Sequence, residues 1–256
     1  MPPLSIDLNA DVGESFGAFV TGADEALFEH VTSANVACGF HAGDPSVIDR
    51  TVRGAAAKGV AVGAHPGYFD LRGFGRREMR LPTSEVEADV LYQVGALQAF
   101  ARAHGVPLSH VKPHGALYNQ AADDPELARA IARGVARVSS ELVFVGLAGS
   151  QAMRHAAAAA GLRFAAEAFA DRAYDARGRL VPRSQPGSVT RDPAVAAAAA
   201  LRLARDGVAL AIDGSEVAVE ADTLCVHGDS PGALEMARAV REALERAGVG
   251  VKALGR

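Results

Sequence analysis

Ionisable side chains follow five short apolar runs of the sequence. The runs begin at Leu4, Ser33, Gly59, Leu108 and Asp222, and they read LSIDLNADVGES, SANVACGFHAGDP, GVAVGAHPGYFD, LSHVKPHGALYN and DTLCVHGDSPG. Each has the composition of a buried strand that ends in a loop rich in Gly, His, Asp or Lys. Carboxylate, imidazole and amine groups transfer protons, bind metal ions and stabilise negative charge. The sequence therefore predicts an enzyme whose active site lies at these strand ends.

Side-chain alternation places the polar residues of several runs on one strand face. Successive side chains of a strand point to opposite faces, so one face can pack on helices while the other lines a cleft. In the first run, Ile6 and Leu8 lie on the apolar face. The polar faces comprise Asp7, Asn9 and Asp11 in the first run, Lys112 and His114 in the fourth, and His227 and Asp229 in the last. Parallel strands would bring these faces together at one end of the sheet.

The eight histidines divide into two groups. One group stands at the ends of four separate runs and comprises His41, His65, His114 and His227. Any one of them could be a hydrogen-bonded core residue, but four in equivalent positions favour a shared site. The other group is assigned to helices or turns, with structural or surface roles, and comprises His30, His104, His110 and His155.

Asp7 and the arginines of one loop could each have a purely structural role instead of a role in the site. Asp7 could cap a loop or pair with an arginine, although a carboxylate inside a protein is costly unless it is used or paired. The segment LRGFGRR could be a solvated loop. Alternatively, Arg72 or Arg76 within it could bind a planar anion such as a carboxylate.

Strands and helices alternate along the chain. Strands are predicted at 4–9, 34–38, 60–64, 109–111, 142–147, 163–167 and 223–226, with a weaker strand at 208–212. Helices are predicted at 45–58, 83–104, 123–137, 151–160, 192–206 and 230–247. The alternation predicts βαβ units, a mainly parallel sheet in an α/β fold, and a single domain over residues 1–256. The long loops at 68–81 and 170–188 are predicted to be functional lids.

Composition argues against several other classes of protein. The 256 residues are 49% hydrophobic and 22% charged, which is typical of a globular domain. A net charge of −4 and the absence of Trp argue against a nucleic-acid-binding protein. Cys38 and Cys225 lie in apolar runs, which favours buried thiols over a disulfide. No signal peptide or membrane-spanning run is evident, so we expect a cytoplasmic protein without a membrane partner.

Six long motifs resemble those of the LamB/YcsF family, whose members are known as the A subunits of 5-oxoprolinase. They are DLNADVGESFG, SANVACGFHAGDP, GAHPGYFDLRGFGRR, VKPHGALYN, EAFADRAYDARGRLVPRSQPGS and DTLCVHGDSPGA, and they extend over nearly the whole chain. The resemblance implies a distorted (β/α) barrel of about seven mainly parallel strands, similar to polysaccharide deacetylases and some glycoside hydrolases. We also expect that the chain can form a homo-oligomer.

The same resemblance implies an activity shared with two partners, 5-oxoprolinase subunits B and C. Together they open the lactam of 5-oxo-L-proline to L-glutamate while ATP is hydrolysed to ADP and phosphate. The sequence contains no G-x-x-x-x-G-K-[ST] loop and no G-x-G-x-x-G after a strand. The complex is expected to consume ATP, and whether this chain itself binds the nucleotide stays open.

Lactam hydrolysis requires a base for water, a positive group for the developing charge and an acid for the leaving nitrogen. We hypothesise that Asp11 is the base, that Lys112 stabilises negative charge and that His114 transfers a proton. Positioning of substrate or water is assigned to His41 and His65, and substrate binding to Asn9, Arg72, Arg76, His227 and Asp229. Supporting positions behind these groups are assigned to Asp7, Glu14, Glu167, Asp171 and Arg172.

Two rival interpretations of the same residues stay open. In one, the protein is a metal-dependent deacetylase or amidohydrolase, in which Asp11 and two of His41, His65 and His114 hold Zn²⁺ or Mn²⁺. The ligand types suit this, but no HExxH or paired-cysteine spacing supports it. In the other, the chain is a non-catalytic subunit that binds a small acid.

Overall fold

The computed structural model describes residues 4–22, 24–226 and 232–254. The strands are β1 (Ser5–Val12), β2 (Ser33–Ala37), β3 (Ala61–His65), β4 (Leu108–Val111), β5 (Val143–Leu147), β6 (Arg163–Phe169), β7 (Val208–Leu210), β8 (Glu216–Ala218), β9 (Thr223–Val226) and β10 (Gly250–Val251). The helices are α1 (Asp24–Leu27), α2 (Pro45–Ala57), α3 (Thr83–Ala103), α4 (Gly115–Asp123), α5 (Pro125–Val138), α6 (Gln151–Ala159), α7 (Pro193–Asp206) and α8 (Ala233–Arg246).

Seven parallel strands close into a barrel, as the family resemblance implies. Their order is β1-β2-β3-β4-β5-β6-β9, and β9 pairs back onto β1. The short strand β10 also pairs with β1, at its first residues. Helices follow most of the strands, which is the arrangement of a (β/α) barrel.

Local sequence explains where several helices begin. The carboxylate of Asp44 accepts hydrogen bonds from the backbone N–H groups of Ser46 and Val47, and Pro45 fills the first helical position of α2. The same Asp-Pro pattern begins α5 at Asp124 and α7 at Asp192. Such caps satisfy the backbone donors that a helix start leaves unpaired.

The predicted alternation along β1 is present in the barrel. Leu8 and Ala10 are fully buried in the hydrophobic core, whereas Asp7 and Asn9 bond to residues of other strands across the barrel interior. A separate apolar cluster of Val143, Val145 and Ala165, with Leu254 packed against it, occupies the inward-facing positions of β5 and β6. The interior is therefore partly apolar and partly polar.

The structure differs from the sequence prediction at several elements, and α1, β8 and β10 were not predicted at all. Strands β1 and β6 extend two to three residues beyond their predicted ends. They continue because their polar inward side chains find partners on neighbouring strands. Helix α4 is not among the predicted helices, since the GALYN segment reads as a loop after a strand. The weak strand at 208–212 exists as β7, but it lies outside the barrel and pairs antiparallel with β8.

Gly63 on β3 makes room for a histidine inside the barrel. A Cβ atom at this position would overlap the imidazole ring of His110. We therefore expect Gly63→Ala to lower the free energy of unfolding by about 1–3 kcal/mol, the typical cost of overpacking. Chemical denaturation of the purified chain measures this value.

Gly95 provides the matched control for this substitution. It lies inside α3, and a Cβ there would meet nothing within 4 Å among the described residues. Gly95→Ala is expected to raise the free energy of unfolding by about 0.5–1 kcal/mol, because alanine loses less entropy in a helix. Equal stabilities of the two variants would contradict the steric argument.

Candidate active site

A cavity of about 970 Å³ lies at the carboxyl ends of the barrel strands. Four predicted catalytic residues line it, namely Asp11, His65, Lys112 and His114. The two long loops at 68–81 and 170–188 contribute further walls. The described strand ends of the first, third and fourth runs therefore converge on one cavity.

Lys112 is the central charge of this site. Its ammonium Nζ lies 2.9 Å from Asp11 Oδ1, 2.8 Å from Glu167 Oε1 and 3.1 Å from Cys225 Sγ. Burial alone would lower the pKa of Lys112, but the two carboxylates and the Cys225 sulfur hold this pKa well above its usual range. Lys112 is thus a fixed positive charge. Glu167, predicted only as a supporting residue, contacts it directly.

Asn9 lies beneath Lys112 and is bonded at both ends of its amide. Its Oδ1 accepts hydrogen bonds from Asn35 Nδ2 at 2.7 Å and from Lys112 Nζ at 3.3 Å. Its Nδ2 donates to Glu167 Oε1 and to the hydroxyl of Thr223. Asn9 was predicted to bind substrate, but the structure places it below the cavity wall, where it orients charged groups.

Asp7 lies one layer deeper in the barrel. It accepts hydrogen bonds from the hydroxyl groups of Thr32, Ser33 and Thr223, at 2.5 to 2.7 Å. Burial raises the pKa of the Asp7 carboxyl, and these hydrogen bonds counteract part of that rise. The supporting position predicted for Asp7 agrees with this placement, and hydroxyl groups satisfy its carboxylate in place of an arginine.

His65 and His114 meet nearly at right angles beside Asp11. Nδ1 of His114 is 2.9 Å from Nε2 of His65, and this same Nε2 is 3.3 Å from Asp11 Oδ2. The other ring nitrogen of each histidine faces a backbone carbonyl. His65 Nδ1 lies 2.7 Å from the carbonyl oxygen of Lys112, and His114 Nε2 lies 2.8 Å from the carbonyl oxygen of Phe74. Burial, followed by the proximity of His65, holds the pKa of His114 well below its usual range.

His41 lies behind His114, away from the cavity wall. The two rings are parallel, with centroids 3.7 Å apart and an interplanar angle of 2°. His41 is fully buried, and neither of its ring nitrogens makes a hydrogen bond within the described residues. Burial and the neighbouring His114 and His65 hold the pKa of His41 well below its usual range.

One group of side chains in the site has donor atoms close enough to hold a metal ion. It comprises Glu14, His41, His65 and His114, whose donor atoms all lie within 4.8 Å of one another. The acidic member of this group is Glu14 rather than Asp11, which the sequence favoured. Glu14 follows β1 by two residues, after Gly13 turns the chain with a φ of 69°, and spacing alone did not indicate this turn.

The loop at 68–81 covers the histidines. Asp70 caps a short 3₁₀ turn through the N–H of Gly73 and forms an ion pair with Arg77. Phe74 adopts a left-handed conformation with φ of 54°, and its carbonyl accepts the His114 hydrogen bond. Strained backbone of this kind concentrates at functional sites. The long loop predicted at 68–81 is therefore present at those residues, and it holds His114 in place.

Positive side chains surround the outer part of the cavity. Arg76, Arg172 and Arg183 line it, whereas Arg72 is exposed and lies outside the wall that the described residues form. Arg172 donates hydrogen bonds to the carbonyls of Ser188 and Val181, and burial followed by the proximity of Arg183 lowers its pKa to about 10. The structure thus brings Arg76 into the site and leaves Arg72 outside it.

The remaining predicted residues are placed as follows. Asp171 is buried just beyond the end of β6, beside Arg172. His227 and Asp229 lie outside the described residues. Cys225, two residues before His227, contacts Lys112 inside the barrel.

Sequence reasoning missed two buried residues of the site. His110 was assigned to a helix or turn, and that assignment is wrong. It lies in β4, inside the barrel, with Nε2 2.8 Å from Asn35 Oδ1, and burial lowers its pKa to about 3. Its spacing of two from Lys112 was the signal that could have identified it. Tyr118 lines the cavity from the unpredicted helix α4.

Comparison with known proteins gives consistent matches over the whole chain. A model of the LamB/YcsF family matches residues 6–256. A protein of Thermus thermophilus, named as the A subunit of 5-oxoprolinase, is 59% identical over 250 residues, covering 98% of this chain and 100% of the relative. A protein of the same name from Chloroflexus aggregans is 57% identical over 249 residues, covering 97% and 98%.

Solved structures confirm the predicted barrel. The crystal structure of a lactam utilization protein from Thermus thermophilus superposes with a TM-score of 0.93 at 58% identity, covering 98% of this chain and 100% of that one. A family 4 carbohydrate esterase from Streptomyces lividans superposes with a TM-score of 0.50 at 13% identity, covering 98% and 93%. The second likeness shows the deacetylase-like fold alone. Within the described residues, no helix is long and apolar enough to cross a membrane.

Proposed function

The chain belongs to the LamB/YcsF family, and we propose that it is one component of an ATP-dependent 5-oxoprolinase. In this proposal, the complex with subunits B and C opens the lactam of 5-oxo-L-proline to L-glutamate, while ATP is hydrolysed to ADP and phosphate. The names of its relatives support the substrate. The main structural support for the proposed chemistry is the buried Lys112–Asp11 ion pair at the cavity wall, next to the paired rings of His65 and His114.

An unstrained lactam resists hydrolysis, because its carbonyl carbon is a poor electrophile and its nitrogen a poor leaving group. Lys112 would stabilise the negative charge that develops on the carbonyl oxygen or on a phosphate attached to it. Its paired carboxylates keep it charged, so it acts as an electrostatic group rather than as a nucleophile. A preorganised charge in a buried site stabilises a transition state far more than the same charge in water.

Asp11 would remove a proton from the attacking water. Its Oδ1 is held by Lys112 and by Asn35 at 2.9 Å, which leaves Oδ2 beside His65 at the cavity. The C–N bond of the lactam then breaks as the nitrogen takes up the proton that Asp11 received. One group thereby serves first as base and then as acid. Where the lactam oxygen carries the phosphate of ATP, cleavage of the C–N bond leaves an acyl phosphate, and a second water hydrolyses it to the carboxylate and inorganic phosphate. His65 would position the attacking water, and His114, hypothesised from the sequence to transfer a proton, would help to position it, because backbone carbonyls hold both rings in place.

The arginines of the outer cavity would bind the substrate's anionic groups. We expect Arg76→Ala to raise the KM for 5-oxoproline by about tenfold to hundredfold with little change in kcat. This corresponds to the loss of a hydrogen bond to a charged group, about 1.5–3 kcal/mol. Steady-state kinetics of the reconstituted complex measure both constants.

Arg72→Ala is the matched control for this variant. Arg72 belongs to the same loop, carries the same charge and lies outside the cavity wall. The complex that contains Arg72→Ala is expected to have the same KM for 5-oxoproline as the wild type. An equal rise in both variants would show that the overall charge of the loop matters, and not a contact in the cavity.

Reconstitution tests the proposed function itself. Purified chain is combined with subunits B and C, and 5-oxoproline-dependent ATP hydrolysis and glutamate formation are assayed together. We expect glutamate to require all three proteins. Full glutamate formation by subunits B and C alone would overturn the proposal and favour a non-catalytic role for this chain.

A further inference from the structure

The hydrogen bonds of His65 and His114 leave two lone pairs facing each other. A backbone carbonyl only accepts hydrogen bonds, so the proton of neutral His65 is on Nδ1, and that of neutral His114 is on Nε2. The inner nitrogens, His65 Nε2 and His114 Nδ1, then both carry lone pairs at a separation of 2.9 Å. Two such lone pairs repel unless a positive species lies between them.

A carboxylate is close to this pair of nitrogens. Glu14 Oε1 lies 3.6 Å from His114 Nδ1 and 3.4 Å from His41 Nε2, and the Glu14 side chain is 5% exposed. Two ligands of a tetrahedral zinc ion, each bound at about 2.0–2.1 Å, are about 3.4 Å apart. The observed spacing of these donors therefore suits a metal ion with small side-chain adjustments.

We propose that Glu14, His65 and His114 bind one divalent transition-metal ion of the zinc type at the floor of the cavity. A set of two histidines and one glutamate is known from catalytic zinc sites, which keep a further position open for water. Asp11 is not a ligand in this proposal, because the donor atoms that cluster together are those of Glu14 and the histidines. Its Oδ1 is engaged by Lys112 and Asn35, and its Oδ2 lies beside His65 as the neighbouring base. When bound, the ion would supply a water molecule of lowered pKa next to the proposed base.

The surroundings of both histidines match those of metal ligands. Histidines that bind metals almost always donate their other N–H to a carbonyl, a carboxylate or water, which fixes the tautomer. Here, Lys112 and Phe74 provide the two carbonyls. A Cβ at Gly75 would lie 2.8 Å from both the His114 ring and His41 Cβ, so the covering loop packs tightly on the site.

His41 is assigned as a positioning residue rather than as a ligand. Its ring is parallel to that of His114, so one ion cannot lie in the planes of both rings. Its nitrogens make no hydrogen bond among the described residues, and Glu14 is next to one of them. His41 Nε2 lies 3.4 Å from Glu14 Oε1, so His41 is placed to orient this ligand rather than to bind the ion.

Metal binding by the isolated chain tests the proposal. Chain stripped with a chelator is titrated with ZnCl₂ by calorimetry and with CoCl₂ by visible absorption, without substrate or partner subunits. We expect one ion per chain and the visible spectrum of cobalt with nitrogen and oxygen ligands. Glu14→Gln and His114→Ala are expected to weaken binding by more than about a hundredfold, which is the upper end of the loss seen when only a hydrogen-bond partner of a ligand is removed, while His41→Ala still binds one ion.

His155→Ala is the control, because it removes an exposed histidine on α6 far from the cluster in sequence. It should bind like the wild type. If the ligand variants do not fold, anomalous scattering from zinc-soaked wild-type crystals decides, with a peak expected between His65 and His114. Absence of saturable binding, or of that peak, would overturn the metal site. Because no lactam is present, either result is independent of the proposed 5-oxoprolinase activity.

Discussion

Asp11→Asn is expected to lower the kcat for 5-oxoproline hydrolysis by about 10²–10⁴-fold, the range attributed to one general base. An amide has nearly the size of a carboxylate, but it cannot accept the proton of the attacking water. Its oxygen can still accept hydrogen bonds from Lys112 and from Asn35, which lie 2.9 Å from Asp11 Oδ1. The reconstituted complex gives kcat, and thermal unfolding shows whether the barrel is retained.

Asp123→Asn is the matched control for the Asp11 variant. Asp123 also lines the cavity, but it is largely exposed and pairs with Arg179, away from the histidines. The kcat of the Asp123→Asn variant should remain within about threefold of the wild type, because exposed ion pairs contribute little to stability. If Asp11→Asn kept full activity, Asp11 could not be the base.

Lys112→Met is expected to lower the free energy of unfolding by about 3–5 kcal/mol, the usual cost of removing one partner of a buried ion pair. Methionine fills similar space but leaves the carboxylates of Asp11 and Glu167 without their cation. Glu167 is fully buried and Lys112 is 3% exposed, so water cannot replace the lost charge. Denaturant unfolding of the chain alone measures the loss.

A second substitution tests the cause of this instability. Lys112→Met combined with Glu167→Gln removes one of the two uncompensated charges, so the double variant should be more stable than Lys112→Met alone. A double-mutant cycle quantifies the coupling between the two side chains. Additive losses would show that Lys112 stabilises the barrel by packing and not by neutralising carboxylates.

Much of the order of strands and helices was predictable from strand composition and alternation, whereas closure of the sheet into a barrel was implied only by the family resemblance. Seven apolar runs with helices between them are the seven barrel strands, and the inward direction of Asp7, Asn9 and Asp11 followed from a period of two. These features are local, because each strand carries its own pattern. Strand β7 was predicted only as a weak strand and its antiparallel partner β8 was not predicted, since three-residue strands carry too short a pattern.

The composition of the site was less predictable, because it depends on contacts between distant segments. His110 was missed although its spacing from Lys112 places both on one face of β4. Glu14 was expected behind Asp11, but the turn at Gly13 brings it to the histidines. Arg72 and Arg76 could not be distinguished by type or charge, since the conformation of the loop at 68–81 decides which one reaches the cavity.

The pairing of β1 with β9 and β10 has a consequence for how the protein is made. The hydrogen-bond partners of Asn9 are synthesised much later, Glu167 after 158 further residues and Thr223 after 214. At the usual rates of synthesis this delay is about 10–40 s, during which the nascent strand has no closing partner. One face of β1 is polar, which makes the strand a poor template for aggregation in that interval. We therefore expect the residues that assemble the site also to disfavour aggregation of the unfinished chain on the ribosome.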